Sequence, residues 1–186
     1  MSLATMQDLL LHELRDLHHA EGQLLRALPD LAAKARNHAL VATLARHLNE
    51  TEQHEVRLEQ CFQLLGVPAR DERCRGMEGL LAETRELTDG ADTQEVRDAA
   101  IISACQKIEH YEISGYGTAR AFAESLGLPE VATLLGETLE EEALTNERLT
   151  EIAESEVILE AVETNGHAVG IDRAPGQARG VGRSPA

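Results

Sequence analysis

The sequence predicts an all-α fold, an antiparallel four-helix bundle with a crossover connection that contains a short helix, and three observations carry that prediction. Aromatic residues make up 2% of the 186-residue chain and there is no Trp. Leu, Ala and Glu dominate instead, which suits helices better than sheets built from β-branched and aromatic residues. Four long segments repeat apolar residues at the i, i+3, i+4, i+7 spacing of a helix face. These segments fall into two pairs, each joined by a short punctuating turn, with a longer connection between the pairs.

The first helix is expected from Thr5 to about Arg36, with Leu10, Leu14, Leu17, Leu24, Leu28 and Leu31 on its core face and Glu21 in the central slot. Pro29 removes a backbone donor from this helix and predicts a kink or irregular turn there. Asn37-His38 punctuates the chain, and a second helix follows from about Ala39 to Leu65. Its seam reads Leu40, Leu44, His47, Thr51, His54, Leu58, Cys61 and Leu65, apolar at both ends and polar in the middle. Gly66-Val67-Pro68 stops it, residues 69–76 form a charged loop, and Met77 to Thr88 make a short amphipathic helix in the crossover.

The third long helix runs from an N-cap at Thr93 to Leu126. At 100° per residue its buried stripe holds Ile101, Cys105, Ile108, Glu112, Ala119 and Ala123, with Glu109 at the edge. Gly127-Leu128-Pro129 is a sharp turn into a fourth helix reaching about Glu163, whose buried arc is Val131, Leu135, Leu139, Glu142, Leu149 and Ile152, with Thr138 and Thr145 filling in. Residues 1–163 are therefore expected to form one domain, and 164–186 a disordered Gly/Pro/Arg tail without a periodic apolar face.

A formal net charge of −16 repels nucleic-acid phosphates and anionic membrane surfaces, so the expected ligands are cations, with no nucleic acid and no membrane as partners. Three cysteines, Cys61, Cys74 and Cys105, form no Cys-x-x-Cys pair and no even framework. With no secretory leader pattern and no run of 18 apolar residues, the expectation is a soluble protein of the reducing cytoplasm.

An unpaired buried carboxylate costs several kcal/mol unless it gains a cationic partner, a proton or a metal ion. In an antiparallel hairpin, residues equidistant from the turn lie at one height. A first turn centred near residues 35 and 36 puts Glu21 level with Glu50, and a second centred on Gly127 puts Glu112 level with Glu142. Carboxylates from four helices would then meet in one layer, where two bridged divalent ions relieve their repulsion. Glu109 and Glu112 are three apart, while Glu50 stands three after His47 and four before His54, so each set shares a helix flank. The expected ligands are Glu21, Glu50, His54, Glu109, Glu112 and Glu142, with His47 competing against His54 for the imidazole position and Glu141 competing against Glu142. Mixed oxygen and nitrogen ligation favours iron, two per chain, or manganese over tetrahedral zinc. The pattern departs from two Glu-x-x-His motifs, since Gln53 stands three after Glu50 and the third helix offers Glu-x-x-Glu. Tyr116, one turn from Glu112, is placed to hydrogen-bond the layer or to pack beside it. His110 points away from the core, and His12, His18, His19, His38 and His167 read as surface or rim.

Several blocks, Leu14-Arg-Asp-Leu17 with Ala20-Glu21, His47-Leu-Asn-Glu50-Thr51, Cys74-Arg-Gly-Met-Glu-Gly79, Val96-Arg-Asp-Ala-Ala100, Gln106-Lys-Ile-Glu-His-Tyr-Glu112 and Glu137-Thr-Leu-Glu-Glu-Glu142, match in order and spacing. Together they resemble the YciE/YciF family of bacterial ferritin-like proteins over about residues 5 to 155. The resemblance implies a rubrerythrin-like bundle with a di-metal site, a homodimer, and a part in stress responses. The functional expectation is a di-iron or di-manganese oxidoreductase, ferroxidase or peroxidase reacting with O2 or peroxide and served by an electron donor the sequence does not identify. A bundle without metal chemistry and an iron-storage shell are the alternatives.

Overall fold

The computed structural model describes residues 3–70 and 72–165, and every regular element among them is helical. In chain order these are α1 (Met6–Lys34), α2 (His38–Leu64), α3 (Arg75–Asp89), α4 (Gln94–Ser125), α5 (Pro129–Ile152), a π-helical turn (Ala153–Val157) and α6 (Ile158–Asn165). The expected tail of residues 164–186 lies outside the described residues except for the end of α6.

Local chemistry sets the ends of these helices. Thr5 and Asp8 form a reciprocal capping box, the Thr5 hydroxyl accepting from the Asp8 N–H and the Asp8 carboxylate accepting from the Thr5 N–H. Asn37 caps α2 by accepting from the N–H groups of Ala39 and Leu40. The turn between them is tied to α4, because Asp98 accepts from the backbone N–H of Arg36 at 2.9 Å and of Asn37 at 2.7 Å. Helices α2 and α4 both end into a left-handed glycine, Gly66 at φ 67° and Gly127 at φ 71°.

Two expectations about the course of the helices are corrected. Helix α1 runs through Pro29 without interruption. Pro29 is exposed and lies within the last two turns, so solvent can satisfy the carbonyl that its ring leaves without a donor. The fourth helix is not continuous to Glu163. The π turn inserts one residue, with the Ile158 N–H bonded to the Ala153 carbonyl, and rotates α6 so that Val157 is buried while Ile158, Leu159 and Val162 are exposed.

The α3 crossover is fastened at Cys74, the N-cap of α3. The Cys74 N–H donates to His19 Nδ1 at 3.1 Å, its carbonyl accepts from Gln23, and its thiol lies 3.0 Å from the Tyr111 hydroxyl. His19 is therefore a structural anchor rather than a rim residue. All three cysteines are free and buried.

The long helices α1, α2, α4 and α5 pack in neighbouring pairs, α1 with α2 and α4, and α5 with α4 and α2. Their apolar residues form two separate clusters. One contains Leu24, Leu28, Leu40, Leu44, Ile101, Ile108 and Leu149. The other contains Leu10, Leu14, Leu58, Phe62, Ala119, Val131 and Leu135. Along each helix the residues between the clusters are polar and buried: Glu21 on α1, His47, Thr51 and His54 on α2, Glu109 and Glu112 on α4, and Thr138, Glu142 and Thr145 on α5. The apolar clusters supply the burial that stabilises the helices, at about 25 cal/mol per Å². The layer between them opposes it.

Candidate metal centre

Each of the four long helices contributes to the layer because its buried stripe passes through that height. On α2, the seam spacing places His47, Thr51 and His54 inward and leaves Glu50 on the flank. The threonines cause no difficulty: Thr51 donates to the His47 carbonyl at 2.8 Å, and Thr138 accepts from Arg57 at 3.2 Å.

The carboxylates and imidazoles form two groups, each with one donor atom per residue within 4.8 Å of all the others: His47, Glu109, Glu112 and Glu142, and Glu21, His54 and Glu142. Glu142 belongs to both. In the first group His47 Nε2 lies 3.3 Å from Glu109 Oε1 and His47 Nδ1 lies 3.9 Å from Glu142 Oε2. In the second, His54 Nδ1 lies 3.0 Å from Glu142 Oε1 and 3.5 Å from Glu21 Oε1. The imidazole centroids are 6.4 Å apart.

These atoms converge without satisfying one another. Glu21 Oε2, both nitrogens of His47, His54 Nδ1, Glu109 Oε2 and all four carboxylate oxygens of Glu112 and Glu142 are buried and make no aligned hydrogen bond. Such groups carry a desolvation penalty of about 1–3 kcal/mol each, more when charged. Burial pushes Glu112 well above the usual carboxylate range, and the nearby Glu21 and Glu142 push it further. Burial likewise raises Glu109 well above that range, with Glu142 adding to it. Glu21 is also raised, since burial outweighs its contacts with His54 and Tyr116. Burial acts in the same sense on Glu142, but the two imidazoles overcome it and hold this carboxylate below its ordinary value. Burial lowers His47. It pulls His54 down too, yet Glu142 and Glu21 outweigh it and push that imidazole up to about 10.

Five of the six expected ligands, Glu21, His54, Glu109, Glu112 and Glu142, stand in the two groups, and the height relation between Glu112 and Glu142 is realised as a shared group. Glu50 is not among them. It is one-fifth exposed, 4.0 Å from His47 Nδ1, and is approached by Thr145 at 3.3 Å and Arg148 at 3.6 Å. Equal height with Glu21 fixed its level but not its direction around the helix. The two histidines do not exclude each other, since one stands in each group. Glu141 lies outside the groups, bound by Arg57 and reaching His54 Nε2 at 2.9 Å. Tyr116 donates to Glu21 Oε1. Arg57 and Arg148 had no place in the sequence reading, although Arg57 follows His54 by three residues and so shares its flank.

Each donor set could hold a metal ion. Four carboxylates and two imidazoles offer the oxygen and nitrogen ligands suited to iron or manganese. A cation would also satisfy the buried oxygens and nitrogens that make no aligned hydrogen bond.

Comparison with known proteins shows what the chain as a whole is similar to. Residues 5–162 match the family model described as a domain of unknown function, DUF892. The protein YciF of Escherichia coli (strain K12) is 42% identical over 154 residues, spanning 82% of this chain and 93% of YciF. The crystal structure of that E. coli stress protein aligns with a TM-score of 0.79 over 82% of this chain and 96% of its own. YcfI from Rhodopseudomonas palustris, provisionally described as a structural protein, aligns with a TM-score of 0.79 at 40% identity, over 80% of this chain and 95% of its own.

Proposed function

The chain belongs to the YciF-like DUF892 family, and from its buried layer we propose that it is a ferritin-like di-metal carboxylate protein. In this reading the four long helices are an antiparallel bundle of the ferritin-like kind, and the layer between the apolar clusters is its metal site. The observation that carries the reading is the convergence of buried donor atoms that make no aligned hydrogen bond.

His47, Glu109 and Glu112 would hold one ion, Glu21 and His54 the other, and Glu142 would bridge them. Glu50, at the rim beside His47, is placed to join the first position by turning its side chain inward. Iron, or manganese in its place, would supply electrons for the reduction of O2 or peroxide. The chain's contribution is to hold the ligands on rigid helices, to keep water out with the leucine clusters on both sides, and to balance charge. Four ionised carboxylates match two divalent cations, and neither set is stable in this layer without the other. The description of YciF as a stress protein supports placing this chemistry in a stress response. The assembly proposed is a homodimer drawing on a separate electron donor. Light scattering tests the dimer, and a mass many times larger would mark a storage shell.

The provisional description of YcfI favours one second reading, a structural bundle whose layer is satisfied by protons. Thermal melting with Mn2+ or Fe2+, before and after chelation, separates the two. An ion present at about 100 times its Kd stabilises a fold by about 2.7 kcal/mol, a rise in Tm of several degrees. An unchanged Tm would overturn the di-metal reading in favour of the structural one.

A further inference from the structure

Outside the two groups of converging donors stands an ion pair that the proposed chemistry does not use. The Arg57 guanidinium grips Glu141 with two parallel hydrogen bonds, Nη1 to Oε2 at 2.6 Å and Nη2 to Oε1 at 2.9 Å. It also donates to Thr138 and lies 3.4 Å from Glu137. The same Glu141 Oε2 meets His54 Nε2 at 2.9 Å, on the side of the ring opposite the Nδ1 that faces Glu142 and Glu21. An imidazole has only two nitrogens, so a hydrogen bond from Nε2–H to a fixed carboxylate sets both the ring's orientation and the tautomer that leaves Nδ1 free to ligate. His47 has no such support on either nitrogen. The group containing His54 also offers three residues where the other offers four.

We infer that Glu141, clamped by Arg57, is the positioning residue on which the second, three-residue metal position depends. The inference rests on the di-metal reading. Without Glu141 the His54 ring loses its outer contact and the three-residue position loses its fixed nitrogen, while the four-residue position of His47, Glu109, Glu112 and Glu142 keeps all its donors.

Calorimetric titration of the metal-free full chain with Mn2+ tests this. Wild-type protein takes up two ions. Glu141→Ala keeps the first binding step and weakens the second by about 10- to 100-fold, the usual loss on removing the partner of a ligating histidine. Glu141→Gln retains an acceptor oxygen for Nε2–H and recovers part of the second step. Glu137→Gln, which alters the exposed neighbour of Arg57, leaves both steps unchanged. Melting of each metal-free variant verifies that it is folded, and if Glu141→Ala does not fold, Glu141→Gln and Arg57→Lys carry the test through the second step alone. Two unchanged steps in Glu141→Ala would overturn the inference while leaving the di-metal reading intact. Equal weakening of both steps would also overturn it, and a wild type that binds no ion would overturn both.

Discussion

The two imidazoles of the buried layer sit in opposite circumstances. On the His54 side the groups are already held: His54 Nε2 meets Glu141, Tyr116 donates to Glu21, and Arg57 anchors Glu141 from the rim. On the His47 side neither ring nitrogen has an aligned partner, both oxygens of Glu112 are unsatisfied, and Glu50 waits at 4.0 Å with only loose contacts to Thr145 and Arg148. One half has few donors in a fixed arrangement, and the other has more donors in a loose one. Polar atoms on the His54 side are stabilised by protein, so a cation adds less there than on the His47 side, where the unmet desolvation is concentrated. The difference predicts unequal responses to substitution, pH and metal.

The largest effect belongs to the residue common to both halves. Glu142→Ala removes a donor from each group and is expected to abolish tight binding at both positions, read as loss of the metal-induced rise in Tm. Retention of that rise would mean that the halves do not share Glu142.

Next comes Glu112→Leu, which removes a buried carboxyl group whose oxygens have no partner. The metal-free protein is expected to gain about 1–3 kcal/mol, a rise in Tm of several degrees, while losing the first binding step. A metal-free protein destabilised by this change would show that the Glu112 carboxyl group is satisfied in the fold.

pH distinguishes the loaded and metal-free states. Glu21, Glu109 and Glu112 have folded pKa values above their ordinary 4.5, so their contribution to stability is complete below that value and is lost as pH rises through the folded values. His54, raised from 6.5 to about 10, contributes fully below 6.5 and loses that contribution as pH rises through about 10. His47, Glu141 and Glu142 are lowered, and their contributions fade only toward acid. Between pH 6.5 and 10 the Tm of the metal-free protein should therefore fall. Metal ligation requires deprotonated donors, so the gap between loaded and metal-free Tm should widen over the same range. A gap that narrows with pH would contradict the assigned ligands.

The smallest expected effect is on the held side. Tyr116→Phe deletes one hydrogen bond to Glu21, and the second binding step should weaken by several-fold with a loss of about 1 kcal/mol in metal-free stability. An effect confined to the first step would reverse the comparison between the halves.

How much of this was legible in the sequence follows from what periodicity encodes. The leucine stripes gave the helices, and the interruptions at Glu21, His47 to His54, Glu112 and Glu142 gave the height of the layer, because 3.6-residue spacing fixes which side chains face inward. The turn positions gave the level of Glu50, and the seam spacing already set it on the flank of α2; what the packed helices add is that its side chain lies at the rim beside Thr145 and Arg148. The single-residue insertion at Ala153–Val157 was hidden because residues on both sides keep helical composition. Arg57 and Glu141 were invisible as a pair because they lie on different helices, 84 residues apart, with Arg57 alone resembling a solvated surface charge and Glu141 a competitor of Glu142 for the layer.

The central claim is that the buried layer is a site for two cations, and the metal content of the purified protein tests it most directly. Protein isolated from cells supplemented with iron or manganese should carry about two ions per chain, and Glu142→Ala prepared in parallel should carry almost none. Fewer than about one ion per wild-type chain after loading, or equal content in the two proteins, would contradict it.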